Sequence, residues 1–352
     1  MLILLYCSSA WASRYPEWVF QDFTSAYTMN QNDFELTASW LMMNDIIDVM
    51  GVKKNEISDS NLGTTSLGDY SGGKVLAQYG LTDRLMLHGL YQKTKMDTTF
   101  GSSSTFKDVG STGSLETARY EVGFRFQLIA ETRKIPAVSM ELSYCKNDSD
   151  DAGFTFSELN SSSITIPNGD NSMMLTGLSD SGYAFTVMMS KNNDPFVHTV
   201  FAGFGQYNSS SRLELSINSD VMQADIGQKF EMNEDVYTLG YTLGIKFFDR
   251  MPIFISYKYL KIDVDMDAGR NTLSGFIPAR YTDTEAMKDA SDNQVLSCKL
   301  VYWITPHVNL TLDGTIYKNS FLGVVPHYNN PLTNRFFDYK YGYVGIGLGI
   351  AF

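Results

Sequence analysis

The C-terminal end of the chain alternates strictly between two kinds of side chain. Residues 339–352 read YKYGYVGIGLGIAF, with an apolar residue at every even-numbered position from Val344 to Phe352. Tyrosines and then glycines occupy the odd-numbered positions as far as Gly349. Because a β-strand directs successive side chains to opposite faces, one face of this strand is wholly apolar. An open apolar edge promotes aggregation, whereas a barrel closed in a membrane pairs that edge and turns the apolar face to lipid.

Other segments show the same two-sided pattern. Apolar residues alternate with polar residues or glycine at 120–128, 237–247 and 308–316. A first strand is predicted at Phe34–Met43, with less regular alternation. The segment 196–206 is apolar on both faces, so its sequence assigns no inward side.

Short turns and long polar connections alternate along the chain. Short turns are predicted at 82–84, 130–136, 191–195, 249–252 and 305–307. Long connections rich in Ser, Asn, Asp and Gly are predicted at 44–70, 97–114, 148–181, 208–234, 266–290 and 320–337. Transmembrane barrels have short turns at the periplasmic side and long loops outside, whereas a soluble sandwich does not require this asymmetry.

The sequence therefore predicts an all-β fold: a transmembrane antiparallel up-and-down β-barrel of about 12 strands over residues 34–352. Fourteen strands is the alternative, because Leu213, Leu215 and Ile217 alternate within 212–230 and would allow one further hairpin to cross the membrane. No proline-marked short turn lies in the middle of that segment, which favours 12 strands with an outer hairpin.

Composition narrows the classes of protein that the chain can be. No run approaches the roughly 18 apolar residues of a membrane helix. A net charge of −12 argues against a nucleic-acid partner. The N-terminal 13 residues, MLILLYCSSAWAS, contain an apolar stretch followed by the A-x-A pattern of a secretory signal peptide. We predict a signal peptide at 1–12 and a periplasmic N-terminal lead-in at 13–33; the alternative is a buried N-terminal strand.

Two short stretches resemble known outer-membrane proteins. YGLTDRL, at 79–85, resembles the periplasmic turn of Gram-negative outer-membrane transporters of the MetA-pathway or phenol-degradation type. The C-terminal strand ending at Phe352 resembles the last strand of bacterial outer-membrane barrels, which the barrel assembly machinery recognises. These resemblances imply location in the cell outer membrane, contact with its lipid and lipopolysaccharide, and a small-molecule solute as cargo; a protein partner is also possible.

The polar faces of the predicted strands carry the residues that would decide function. The residues predicted to line the lumen are Lys74, His88, Arg119, Glu121, Arg125, Glu141, Lys246, Lys258, Lys299 and Asp313. They include about two cations for each anion, so we predict a channel for small polar or anionic solutes through a mixed-charge lumen. The alternative is a closed structural or docking barrel, in which these charges pair and a partner binds the outer loops or the N-terminal segment.

The remaining motifs indicate no chemistry of their own. None of the histidines His88, His198, His307 and His327 accompanies a nucleophile or a carboxylate pair, so no catalytic residue is predicted and the chain is not expected to be an enzyme. No metal or cofactor motif is found. The segment 263–269 resembles the start of an EF-hand calcium loop but lacks the required glycine and the closing glutamate. Cys145 and Cys298 fall on polar and apolar faces respectively, so they are predicted not to form a disulfide.

Overall fold

The structure is a computed structural model. It describes residues 24–44, 46–48, 56–59, 63–100, 102, 106–109, 112–160, 165–166, 168–248, 250–267, 292–318 and 340–352. The predicted signal peptide, the first part of the predicted lead-in, His327 and most of the predicted loops at 266–290 and 320–337 lie outside the described residues. No described residue belongs to a helix long and apolar enough to cross a membrane.

Twelve long antiparallel strands close into a barrel. In chain order they are β1 (Phe34–Met43), β3 (Gly63–Thr82), β4 (Leu85–Phe100), β6 (Thr112–Ile129), β7 (Ala137–Ser149), β11 (Asn171–Asn193), β12 (Phe196–Asn218), β13 (Gln223–Phe248), β14 (Met251–Asp267), β15 (Asp292–Thr305), β16 (Val308–Lys318) and β17 (Lys340–Ala351). Each strand pairs with the next of these strands, and β17 pairs with β1 over eight positions from Glu35↔Ala351 to Met42↔Val344. The all-β barrel prediction and the predicted bounds of the first strand are confirmed.

Five short strands complete the structure. They are β2 (Glu56–Asp59), β5 (Phe106–Lys107), β8 (Ala152–Phe156), β9 (Glu158–Asn160) and β10 (Thr165–Ile166). The first of them extends the wall beside β3, and β8 pairs with β11. The remaining three, β5, β9 and β10, form a separate small sheet.

The outer face of the barrel carries the apolar side chains. Val122, Leu239 and Leu348 are each more than half exposed, which is what a lipid-facing surface requires. Aromatic pairs form a girdle on the outer face of six neighbouring strands: Tyr91–Tyr120, Tyr144–Tyr183 and Phe204–Tyr237, with ring centroids 5.1, 5.0 and 5.3 Å apart. From that girdle to the short turn, residues 183–193 of β11 match the roughly 9–11 residues of a transmembrane strand. Such a girdle is typical of the interface at the outer boundary of the membrane.

Strands β11, β12 and β13 continue far beyond the girdle. The β12–β13 pairing runs without interruption from Phe196↔Ile245 to Asn218↔Gln223, so residues 212–230 form the end of one long hairpin. The alternative of 14 strands is therefore wrong. The favoured prediction of an outer hairpin within 208–234 is confirmed, whereas the predicted long polar connection at 148–181 is for the most part strand. Ser, Asn and Asp are common there because both faces of the extension lie outside lipid.

The extension and the small sheet enclose an apolar cluster at the outer end of the barrel, which we call the outer cap. Its small-sheet and β8 residues are Phe106, Phe154, Phe156, Leu159 and Ile166. They pack on inward-facing wall residues such as Met173, Leu175, Leu213, Leu215 and Ile217. Phe106 contacts Phe154 and Phe156 edge to face, with centroids 5.3 and 5.0 Å apart. These side chains fill the outer end of the lumen.

At the other end, residues 24–33 lie against the inner wall, and we call this segment the inner plug. Its backbone is held at several points: Ala26 N donates to Ser190 Oγ, Gln127 Nε2 and Ser139 Oγ donate to Ala26 O, and Asn32 N donates to Gly80 O. Gly80 has no room for a side chain, because a Cβ there would lie 1.9 Å from Asn30 O. The inner plug is therefore an integral part of this conformation.

Candidate functional site

A cavity of about 300 Å³ lies in the lumen between the inner plug and the outer cap. Ten of the twelve barrel strands contribute to its lining. Its charged lining residues are Lys74, Arg119, Glu121, Lys258 and Asp313. Its apolar and aromatic lining residues are Leu76, Leu90, Val236, Leu260, Ile262, Val295, Tyr207, Tyr317 and Tyr343. The lumen therefore offers both charge and apolar surface to whatever it holds.

The strand alternation places all ten residues predicted for the lumen on the inward side of their strands. Five of them line the cavity, as described above. His88, Arg125 and Glu141 form a layer between the cavity and the inner plug. Lys299 is buried opposite Asp313 on the neighbouring strand, and Lys246 is half-buried near the short turn, where it pairs with Pro252. Their part in solute passage remains a prediction.

The layer beneath the cavity is built around one buried ion pair. Arg125 Nε and Nη2 lie 2.8 and 2.7 Å from Glu141 Oε2, and His88 Nε2 lies 3.7 Å from the same oxygen. Arg125 Nη1 also donates to Tyr27 O of the inner plug, at 3.3 Å. The guanidinium thus connects the β6–β7 wall to the inner plug, and removing it leaves a buried carboxylate with a weaker partner.

The charged side chains that line the cavity also contact other side chains of the wall. Arg119 Nη2 donates to Glu121 Oε2 at 2.6 Å, and Lys74 Nζ lies 3.5 Å from Asp313 Oδ2. Lys258 Nζ lies 5.9 Å from the ring centroid of Phe201, within the range of a cation–π contact. Lys74 and Arg119 therefore each have an acid beside them in the closed conformation.

Three inward-facing acids were not predicted from the sequence: Glu35, Asp180 and Glu234. With them, the described wall carries six cations and six acids, so the predicted two-to-one excess of cations is wrong. Glu35 lies in a strand whose irregular alternation did not show which face is inward, whereas Asp180 and Glu234 lie in segments interpreted as loops.

Segment 196–206, whose inward face the sequence did not assign, turns Val197, Thr199 and Phe201 inward. Cys145 is buried and Cys298 exposed, both free, which confirms the cysteine prediction.

Tyr27 is the centre of the inner plug. Its side chain packs against three apolar clusters on different parts of the wall, which include Trp303, Met188 and Met86. Its hydroxyl donates to Glu131 Oε2 at 2.5 Å, and Lys191 Nζ lies 2.9 Å from Glu131 Oε1. Partial burial favours protonation of Glu131, but the hydrogen bonds from Tyr27 and Lys191 outweigh it and lower the pKa of this carboxyl. The inner plug is thus anchored to two short turns.

Phe352 lies where β17 meets the start of β1. Its backbone exchanges hydrogen bonds with Phe34 at 2.8 and 2.9 Å, which completes the closure of the wall. Its ring is half exposed and stacks on His307 of the last short turn, with centroids 5.8 Å apart. The terminal aromatic side chain is therefore placed at the inner rim, on the lipid-facing side of the strand.

Comparison with known proteins identifies the fold. No protein-family model matches the chain, and no curated protein sequence matches it. Among solved structures it is similar to the translocator domain of the autotransporter NalP from Neisseria meningitidis, at 8% identity over 92% of this chain and 89% of that chain, with a TM-score of 0.50. It is also similar to the Ralstonia pickettii toluene transporter TbuX (9% identity, 92% and 90%, 0.46) and to a Pseudomonas aeruginosa FadL homologue (10%, 92% and 89%, 0.43).

The likeness to the NalP translocator domain supports the barrel architecture, which agrees with the apolar outer face and the aromatic girdle. The chain has the fold of an outer-membrane barrel protein. Identities near 10% show nothing finer than the fold. Without a matching family model, the resemblance of 79–85 to transporters of the MetA-pathway type stays a prediction.

Proposed function

We propose that this protein is an outer-membrane channel that admits small solutes and is closed in the conformation described here. The observation that supports the proposal is the cavity, which lies between the inner plug and the outer cap. The inner plug is a chain segment outside the barrel strands, held by hydrogen bonds and by the side chain of Tyr27. A barrel that served only as a support would need neither a cavity lined with charge nor a separate segment to close it.

The lining favours a solute with an anionic or polar group and an apolar body. The cations Lys74, Lys258 and Arg119 outnumber the two acids of the lining, Glu121 and Asp313, and can exchange their present contacts for a carboxylate of the solute. Leu76, Val236 and other apolar lining residues provide the surface for the rest of the molecule. A purely apolar solute would leave the charged groups of the wall dehydrated, which costs free energy.

Benzoate and benzamide test this selectivity, because they have nearly the same size and differ in charge. We expect proteoliposomes containing the full chain, with its inner plug opened by substitution of Tyr27 and assayed above about pH 8 so that the outer cap is also open, to take up benzoate several-fold faster than benzamide. Lys258→Gln should reduce the uptake ratio, because one inward cation is lost, whereas Lys261→Gln on the exposed outward face of the same strand should leave it unchanged. Equal uptake of both solutes, or equal effects of the two substitutions, would contradict the proposed preference.

A closed docking barrel is the second candidate. It is favoured by the closure of both ends and by the pairing of the cavity charges. In that case the outer hairpin of β12–β13 or the N-terminal segment would bind a protein partner. Co-purification of a stoichiometric partner, together with no flux from the variant with an opened inner plug, would favour the docking barrel over the channel.

A further inference from the structure

Two carboxyl groups are buried on the wall just beyond the aromatic girdle, directly under the outer cap. Asp180 on β11 and Glu234 on β13 are 3% and 1% exposed, respectively. Each lies three residues beyond a tyrosine of the girdle, Tyr183 or Tyr237, and so outside the membrane-spanning part of its strand. Apolar members of the outer cap, including Leu178 and Phe230, lie on the same strands.

The two carboxyls belong to one row of side chains across four strands. Asp180 stands directly opposite Asn147 on β7 and Ser209 on β12. The backbone N and the side-chain amide of Asn147 both donate to Asp180 Oδ1, and Ser209 Oγ donates to Glu234 Oε1 at 3.2 Å. The row therefore joins β7, β11, β12 and β13 at the level where the cavity ends and the outer cap begins.

In this row, only one oxygen of each carboxyl accepts a hydrogen bond. Asp180 Oδ2 and Glu234 Oε2 have no hydrogen-bond partner among the described residues, although both are buried. No described lysine, arginine or histidine lies within 4 Å of either carboxyl. A buried carboxylate without a partner is costly, so the closed structure favours the neutral form of these groups.

Burial outweighs the one nearby cation, Arg119, which favours the ionised form of Asp180. The charged or titratable groups around the pair are Arg119 and its partner Glu121 on β6, Cys145 and Asp148 on β7, and Tyr207 on β12. From β14 the described wall contributes the apolar Ile262. Burial raises the pKa of Asp180 to about 6 against the opposing effects of Asn147 and Arg119. Burial, with the nearby charge of Asp180, raises the pKa of Glu234 to about 8.

We propose that Asp180 and Glu234 form a carboxyl latch that keeps the outer cap closed while it is protonated and releases the cap when both groups ionise. Two negative charges in an apolar site repel each other and require water. Separation of the outer cap from β11, β12 and β13 would expose both carboxylates to water. The latch is a property of the closed barrel, whereas its consequence for solute flux rests on the proposed function.

The direction of the pH effect follows from proton release. The carboxyl of Glu234 has a raised pKa in the closed state, and a usual value of about 4.3 when hydrated in the open state. Opening therefore releases a proton between these pH values. The equilibrium constant for opening should rise by up to about tenfold per pH unit from about pH 5 to 8 and level off above that range. Asp180 should add to the rise below about pH 6.

A cysteine in the outer cap measures opening without reference to transport. Met173→Cys, in the full chain with Cys7, Cys145 and Cys298 each replaced by serine, places a single thiol among buried residues of the outer cap. Its alkylation rate by N-ethylmaleimide is measured at pH 6, 7 and 8, with and without Glu234→Gln. At each pH, the alkylation rate of the protein with Glu234 is divided by the rate of the protein with Glu234→Gln. This ratio is independent of the titration of the thiol itself. We expect this ratio to rise at least tenfold from pH 6 to 8.

Glu231→Gln provides the matched control, since Glu231 lies on the same strand but is exposed and faces outward. It should leave the pH dependence intact. Asp180→Asn supplies a second test if Glu234→Gln does not give the folded, heat-modifiable barrel on a gel. A ratio that stays constant with pH, or a Glu231→Gln protein that behaves like Glu234→Gln, would overturn the latch. A rising ratio in a barrel that conducts nothing would support the latch and contradict the proposed channel.

Discussion

Replacing Tyr27 and Met29 by alanine is expected to raise the single-channel conductance of the barrel several-fold in planar lipid bilayers above about pH 8, where the carboxyl latch releases the outer cap. Tyr27 packs against three clusters around the wall and, with Met29 on Met86, fills the inner end of the lumen. Removing both side chains leaves the backbone contacts of the inner plug but empties its centre. The lost hydrogen bond from Tyr27 to Glu131 also frees one of the anchors to the short turns.

Thr28→Ala is the control within the same segment. Thr28 Oγ1 donates to Asp83 O at the exposed rim, 2.9 Å away, and its loss removes a contact without opening space in the lumen. Its conductance should remain at the level of the unaltered protein. If the alanine pair at 27 and 29 also left the conductance unchanged, the inner plug would not be the barrier to solute flow at that end.

Arg125→Met is expected to destabilise the barrel by about 3 kcal/mol, because it leaves Glu141 buried without its strongest partner. The guanidinium makes two short contacts to Glu141 Oε2 and a third to Tyr27 O, and methionine replaces none of them. Equilibrium unfolding in urea, followed by tryptophan fluorescence of the barrel in lipid vesicles, measures the free energy of unfolding. Glu141→Gln should also destabilise the barrel, since it leaves the buried guanidinium of Arg125 without its counter-charge.

Lys93→Met gives the exposed comparison. Lys93 Nζ lies 3.5 Å from Glu116 Oε2 on the outer face of the β4–β6 pair, and the lysine side chain is largely exposed. Such a pair contributes roughly 0–1 kcal/mol in water. A loss of stability for Arg125→Met as small as that for Lys93→Met would show that the inner layer does not contribute to holding the barrel together.

The sequence predicted most of what is local and periodic. Strand faces follow directly from alternation, so the inward position of Arg119 and Asp313 and the opposite faces of Cys145 and Cys298 could be inferred without a structure. The turns marked by proline fixed where the strands reverse, and these are the short turns that the structure shows. The bounds of β1 also agree, because Phe34–Met43 is flanked by polar residues on both sides.

What could not be predicted depends on contacts between distant segments. Asp180 and Glu234 lie in stretches whose Ser, Asn and Asp content is typical of loops, yet pairing with the neighbouring strands makes them part of the wall. The occupation of the lumen by Tyr27 has no local sequence pattern, since it depends on Glu131 and Arg125, about a hundred residues away. The near-balance of wall charge was not predicted for the same reason, because each missed acid lies in one of these segments or in the irregular β1.

The most direct test of the account uses Cys145, the inward cysteine that lines the cavity. In the protein with Tyr27→Ala, Met29→Ala and Cys298→Ser, a charged methanethiosulfonate reagent is added while current is recorded in a planar bilayer. If solutes cross through the cavity, modification of Cys145 should reduce the conductance by more than half, and Cys145→Ser should abolish the effect. Conductance that stays unchanged after complete modification, confirmed by mass spectrometry, would show that the current does not pass through the lumen.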